Sequence, residues 1–109
     1  MKRKNILFFF TDQQRYDTFN AEIMPELTAL AEEGVSFDNA FTCQPVCGPA
    51  RACLQSGQYA SEIGCYKNGI SLPLDTKPLA EYMNEAGYDT AYIGKWHLAS
   101  DFKLKNSIS

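Results

Sequence analysis

The sequence predicts an α/β layer fold with a mostly parallel sheet flanked by helices, on three observations. Segments that read as strands occupy residues 5–10, 35–41 and 88–93, the first of them a continuous apolar run. Segments with helical spacing and helix-boundary residues separate them, and polar groups capable of chemistry follow the ends of the first and last runs. Alternation between the two periodicities, without any repeat or low-complexity stretch, is the pattern of layered α/β proteins.

The elements follow in chain order. Residues 5–10 are continuously apolar after Asn5, as expected for a strand covered on both faces, and Asp12 ends the run. Pro25 sits well in the first turn of a helix that places Leu27, Leu30 and Ala31 on one face, with Gly34 as its stop. In 35–41, Val35, Phe37 and Phe41 alternate with Ser36 and Asp38, which predicts a second strand. A loop through Pro45 leads to Pro49, which suits the start of a helix running to about Ser56 and ended by Gly57. That orientation leaves free backbone N–H groups near Cys47. A further helix is predicted over 78–86, with Leu79, Tyr82, Met83 and Ala86 at helical spacing and Gly87 as the stop. Residues 88–93 then read as a strand that ends at Gly94-Lys95-Trp96-His97.

A chain of 109 residues, 45% hydrophobic and 13% aromatic, is enough for one small core, so one domain or part of one is expected. A net charge of −3 gives no basic footprint for nucleic acid, and no run of like charge forms an interaction tail. Lys2-Arg3-Lys4 ahead of the first apolar run imitates the start of a signal peptide, but the run is too short and Thr11-Asp12-Gln13-Gln14-Arg15 closes it. The expectation is a cytoplasmic chain with no membrane span. The four cysteines, at 43, 47, 53 and 65, contain no C-x-x-C pair, and the single histidine lies far downstream. This spacing argues against structural zinc and against a disulfide framework, leaving Cys43, Cys53 and Cys65 as small, partly buried hydrophobes.

Ligands of open parallel sheets collect outside the carboxyl ends of the strands, which is where Asp12 and the pair Lys95 and His97 fall. The helix carrying Cys47 and Arg51 would complete such a site. Each residue also has a plainer reading. Asp12 can terminate a turn, Lys95 can be a solvated charge, and His97 can be a hydrogen-bonded structural histidine. Arg51 can face solvent from a helix, and Cys47 can be an inert thiol.

Three blocks in order shift that balance. They are Asn5-Ile6-Leu7-Phe8-Phe9-Phe10-Thr11-Asp12-Gln13-Gln14-Arg15, then Pro45-Val46-Cys47-Gly48-Pro49-Ala50-Arg51 with Ser56-Gly57, and finally Gly87-Tyr88-Asp89-Thr90-Ala91-Tyr92-Ile93-Gly94-Lys95-Trp96-His97. Together they resemble the formylglycine-dependent sulfatases of the alkaline phosphatase superfamily, and the helix from Met24-Pro25-Glu26-Leu27 to Glu33-Gly34-Val35 resembles the one after that family's first metal-binding loop. The resemblance implies an alkaline-phosphatase-like fold of which residues 1–109 are the amino-terminal, incomplete portion of the catalytic domain.

It also implies roles. Cys47 would be oxidised by a formylglycine-generating enzyme to an aldehyde, whose hydrate attacks a sulfate ester carried by a small molecule or a glycan. One hydroxyl attacks sulfur, the alcohol leaves, and the second hydroxyl expels sulfate. Asp12 would ligate a divalent cation, Ca2+ in most of the family, which also meets the modified Cys47. Gln13 stands where many members have a second Asp, so its carbonyl oxygen would coordinate without adding charge. Arg51 would hold the hydrated aldehyde, Lys95 would bind sulfate, and His97 would orient the nucleophile or assist proton transfer. The family's remaining ligands come from sequence beyond these blocks, and the tail carrying Asp101, Lys103 and Lys105 offers no second metal-ligand pair. The chain alone is therefore expected to be inactive. Two alternatives are phosphonate or phosphate ester hydrolysis by the same apparatus, and a non-catalytic remnant that associates with itself or another chain through uncovered sheet edges and apolar surface.

Overall fold

A computed structural model describes residues 3–99, so the tail with Asp101, Lys103 and Lys105 lies outside the described residues. The chain divides into two units, 1–40 and 41–109.

In the first unit the secondary structure is a short 3-10 helix, Tyr16–Thr18, followed by α1, Pro25–Glu33. Asn20 organises the turn between them. Its Oδ1 accepts from the backbone N–H groups of Glu22 at 3.1 Å and Ile23 at 3.0 Å, and its Nδ2 donates to the Asp17 carbonyl at 3.0 Å. Such Asx turns are a local alternative to secondary structure, and here one delivers the chain to α1. Pro25 occupies the first turn as the sequence predicts, where its missing N–H costs no helical bond. Gly34 closes the helix with φ −121° and donates to the Ala31 carbonyl at 3.2 Å.

The second unit holds α2, Cys47–Ser56, and α3, Leu79–Glu85. Its core is small. Ala52, Ile63, Cys65 and Leu98 are buried together, and the half-buried Ile70 and Leu72 pack against them. A backbone bond from Leu72 N–H to the Leu98 carbonyl, 2.9 Å, fastens the segment after residue 94 to this core. Gly57 ends α2 in the left-handed region at φ 69°, and its N–H closes onto the Cys53 carbonyl at 2.8 Å. The end of α3 is a Schellman motif. Gly87, at φ 81°, donates to the Asn84 carbonyl at 2.8 Å, and Tyr88 N–H reaches back to the Met83 carbonyl at 3.0 Å. Lys77 pairs with Glu85 and lies 4.3 Å from the Tyr82 ring centroid, tying the approach to α3 to the helix itself. No helix among the described residues is long and apolar enough to cross a membrane.

The expected sheet is not formed among the described residues: 5–10, 35–41 and 88–93 contain no strand. The reason lies in what a strand needs. Apolar patterning selects the segment, but only a neighbouring strand supplies the hydrogen-bond ladder and the covering surface. The side chains accordingly stay out in solvent, with Leu7 90% exposed, Phe41 88% and Ile93 97%. A period of two nevertheless persists within the first run, since the rings of Phe8 and Phe10 lie 5.6 Å apart. The cysteines also depart in part from expectation: Cys53 and Cys65 are buried, whereas Cys43 is exposed.

Candidate active site at the start of the cysteine helix

Helix α2 starts at Cys47, two residues ahead of the predicted Pro49, with Val46 in extended conformation as the N-cap. The longer start is chemically allowed because Pro49 falls within the first turn, where backbone N–H groups have no intrahelical acceptor. Val46 has no side-chain cap to offer. A residue far along the chain supplies one. Asn68 Oδ1 accepts the Gly48 N–H at 3.0 Å, while its Nδ2 lies 3.5 Å from Cys47 Sγ. The half-buried thiol thus sits in the first turn of a helix, near its positive end, with an amide donor beside it.

Gly48 permits this approach. A Cβ at that position would lie 2.7 Å from Asn68 Oδ1. Gly48→Ala is therefore expected to swing the Asn68 amide away. Loss of one hydrogen bond, about 1 kcal/mol, is offset by about 1 kcal/mol from the better helix propensity of alanine. The melting temperature should stay nearly unchanged, while iodoacetamide alkylation of Cys47 slows about two- to fivefold as the sulfur loses the amide donor beside it. Equal alkylation rates in the two proteins would show that the amide has no hold on the sulfur.

Arg51 follows Cys47 by one helical turn, so both side chains issue from one side of α2. It is 7% exposed. Its Nη1 donates to the Lys95 carbonyl at 2.5 Å and to the Tyr92 hydroxyl at 3.3 Å, and that hydroxyl itself donates to the Lys95 carbonyl at 2.5 Å. Tyr92 in turn meets Trp96 edge to face, with ring centroids 5.2 Å apart. One buried cation thereby fixes the loop that carries Lys95 and His97, whose own residues are exposed. The loop bends through Gly94 at φ 119° and His97 at φ 57°, then Leu98 drops into the core.

The structure therefore brings Cys47, Arg51 and the Lys95–His97 loop into one unit. Asp12 and Gln13 belong to the first unit, where both are exposed and Gln13 has φ 59°. Their oxygen donors suit a hard cation such as Ca2+, which takes six to eight of them. Among the described residues no group of three or more His, Cys, Asp or Glu is placed to hold a metal. Two residues of the site escaped sequence reasoning. Asn68 had a faint signal, the turn-forming Asn68-Gly69 dipeptide, with Gly69 at φ 84°. Tyr92 reads in sequence as part of a strand, and only the contact with Arg51 reveals its polar use.

The Sulfatase family profile matches residues 4–103. The sulfatase YidJ of Escherichia coli, itself uncharacterised, is 42% identical over 103 residues, covering 90% of this chain and 21% of the relative. An ulvan-active sulfatase of Formosa agariphila is 42% identical over 101 residues, covering 88% of this chain and 20% of the relative. An N-acetylglucosamine-6-O-sulfatase of Bacteroides thetaiotaomicron is 35% identical over 105 residues, covering 92% and 19%. No solved structure matches significantly. The chain spans about a fifth of the length of these curated relatives. Membership implies an alkaline-phosphatase-like α/β fold, of which the described residues form helices. With a family match that takes in the first-turn cysteine, the arginine a turn later and the loop it fixes, this chain belongs to the sulfatase family.

Proposed function

We propose that the chain supplies the nucleophile and part of the anion-binding apparatus of a sulfuric ester hydrolase that uses a formylglycine made from Cys47 and a divalent cation. The observation that carries this reading is the tie between α2 and the 92–97 loop. Arg51 and Tyr92 together hold the Lys95 carbonyl, so Cys47 and the loop bearing Lys95 and His97 are parts of one small structure. Family membership supplies the chemistry to which that structure is put.

The modification supplies an oxygen nucleophile of geminal-diol type when present, and the cation supplies Lewis-acid stabilisation of developing negative charge. This chain's residues do the rest of the work assigned to it. The Asn68 side-chain amide, held by the Gly48 N–H with its Nδ2 beside the sulfur, and the positive end of α2 orient whatever group stands at position 47. The ammonium of Lys95 binds sulfate oxygen, and the imidazole of His97 takes or returns a proton beside the nucleophile. Asp12 and Gln13 offer the cation a carboxylate and an amide oxygen.

The substrate is a sulfate ester of a small molecule or a glycan. Relatives include the N-acetylglucosamine-6-O-sulfatase, the ulvan-active enzyme and a choline-sulfatase of Rhizobium meliloti. The required partner is a formylglycine-generating enzyme, and the cytoplasm is the proposed compartment.

The test is the mass of the Cys47 peptide after co-expression with such an enzyme. Conversion exchanges the sulfur and two hydrogens of the side chain for one oxygen, and the product is trapped by an aldehyde-specific hydrazine. Wild type is expected to convert and Cys47→Ala to give no signal. A thiol that persists at Cys47 under conditions that convert a control sulfatase would overturn the reading.

A further inference from the structure

The proposed function makes no use of the apolar run that precedes Asp12. Ile6, Leu7, Phe8, Phe9 and Phe10 are all exposed, and the run joins no strand among the described residues. Lys4 before it and Asp12 after it are exposed as well. We propose that this segment pairs with the same segment of a second copy, as an antiparallel strand pair with its two-fold axis at Phe8, so that residues 4–12 form a dimer interface.

A second copy is the occupant because the sequence matches itself in that register. Antiparallel pairing about Phe8 sets Lys4 opposite Asp12 of the second copy, Asn5 opposite Thr11, Ile6 opposite Phe10 and Leu7 opposite Phe9. The two-fold axis repeats each match at the other end. Opposite residues of an antiparallel pair share a face, so charge meets opposite charge, polar meets polar and apolar meets apolar. A slip of one residue destroys the match, setting Asn5 against Phe10 in one direction and Ile6 against Thr11 in the other. A parallel pair in register is worse, because it sets Lys4 against Lys4 and Asp12 against Asp12, and like charges directly opposite repel.

The segment is prepared for pairing. The Phe8 and Phe10 rings, 5.6 Å apart, place alternate side chains on one face, and in a strand through 4–12 that face also carries Lys4, Ile6 and Asp12. Residues 5–10 hold no charge, proline or glycine, the composition of segments that add to a neighbouring edge. A second copy supplies the hydrogen-bond ladder and covers apolar side chains that water now meets. A two-stranded ribbon is marginal by itself, so the dimer is expected to be weak and to depend on concentration. Asp12 is offered to a cation in the proposed chemistry, and pairing competes with that use. Neither Cys47 nor its modification takes part, so with chelator present this proposal and the catalytic one fail separately.

The test is sedimentation equilibrium of the 109-residue chain from about 1 µM to 1 mM. The buffer holds a chelator, and a reductant that keeps the exposed Cys43 from linking copies. A reversible monomer–dimer equilibrium is expected. Lys4→Asp and Asp12→Lys each turn both cross-copy ion pairs into like-charge contacts, so each should weaken the dimer about tenfold. The double variant Lys4→Asp/Asp12→Lys restores both pairs with their signs exchanged and should return to the wild-type constant. A parallel pair would gain nothing from that exchange, since like charges stay opposite in all four proteins. A monomer throughout the range would overturn the pairing and leave the run to a different occupant. Assemblies larger than a dimer, single variants that associate as wild type does, or a double variant as weak as the singles would each overturn it too.

Discussion

Arg51→Ala is expected to destabilise the second unit by about 2–4 kcal/mol and to release the loop that carries Lys95 and His97. The guanidinium is buried, and its Nη1 serves two acceptors that belong to that loop. Removing it deletes charge-assisted hydrogen bonds, each worth about 1.5–3 kcal/mol, and opens space beneath the Tyr92 hydroxyl. A core of four buried residues with two half-buried neighbours has little reserve against a loss of that size. Trp96 is the single tryptophan and rests against Tyr92, so its fluorescence reports the loop directly. We expect a red-shifted emission in the variant and a lower urea midpoint. Arg51→Lys should recover little, because an ammonium on a flexible stem cannot reproduce the guanidinium's fixed fork of donors. Unchanged emission and midpoint in Arg51→Ala would show that the buried cation does not hold the loop.

The second large effect concerns catalysis. Residues of this chain can replace the matching fifth of the Formosa agariphila ulvan-active sulfatase, to which it is 42% identical over the matched region. Co-expressed with a formylglycine-generating enzyme, the chimera is expected to release sulfate from ulvan. Cys47→Ala within it should lower kcat by about a thousandfold or more, the usual consequence of removing a covalent nucleophile while leaving the binding groups in place. Sulfate release that survives Cys47→Ala would end the assignment of Cys47 as nucleophile precursor. If Asp12 and Gln13 hold a divalent cation as proposed, chelation should abolish the chimera's sulfate release and Ca2+ should restore it.

The helices were legible because their signals are local. Pro25, Gly57 and Gly87 each act on the few residues beside them, and the structure uses all three where the sequence puts them. The early start of α2 was hidden because the residue that completes its N-terminus is Asn68, twenty positions beyond Gly48. The apolar runs were equally visible, yet a strand is a relation between segments, and no local pattern can supply the second partner. Arg51 illustrates a different limit. The motif implied a cation directed at the modified cysteine, while the structure also commits that side chain to the 92–97 loop. Sequence indicates which residue types gather at a site, but not how many duties each side chain carries.

Two residues without the freedom of glycine hold positive φ among the described residues: Gln13 at 59° and His97 at 57°. A left-handed backbone disfavours an L side chain by about 1 kcal/mol, and glycine would be the easy occupant of either position. An amide and an imidazole stand there instead, each a candidate for the chemistry. The backbone thus singles out, by torsion alone and independently of any motif, two of the side chains that a designer seeking only stability would discard first.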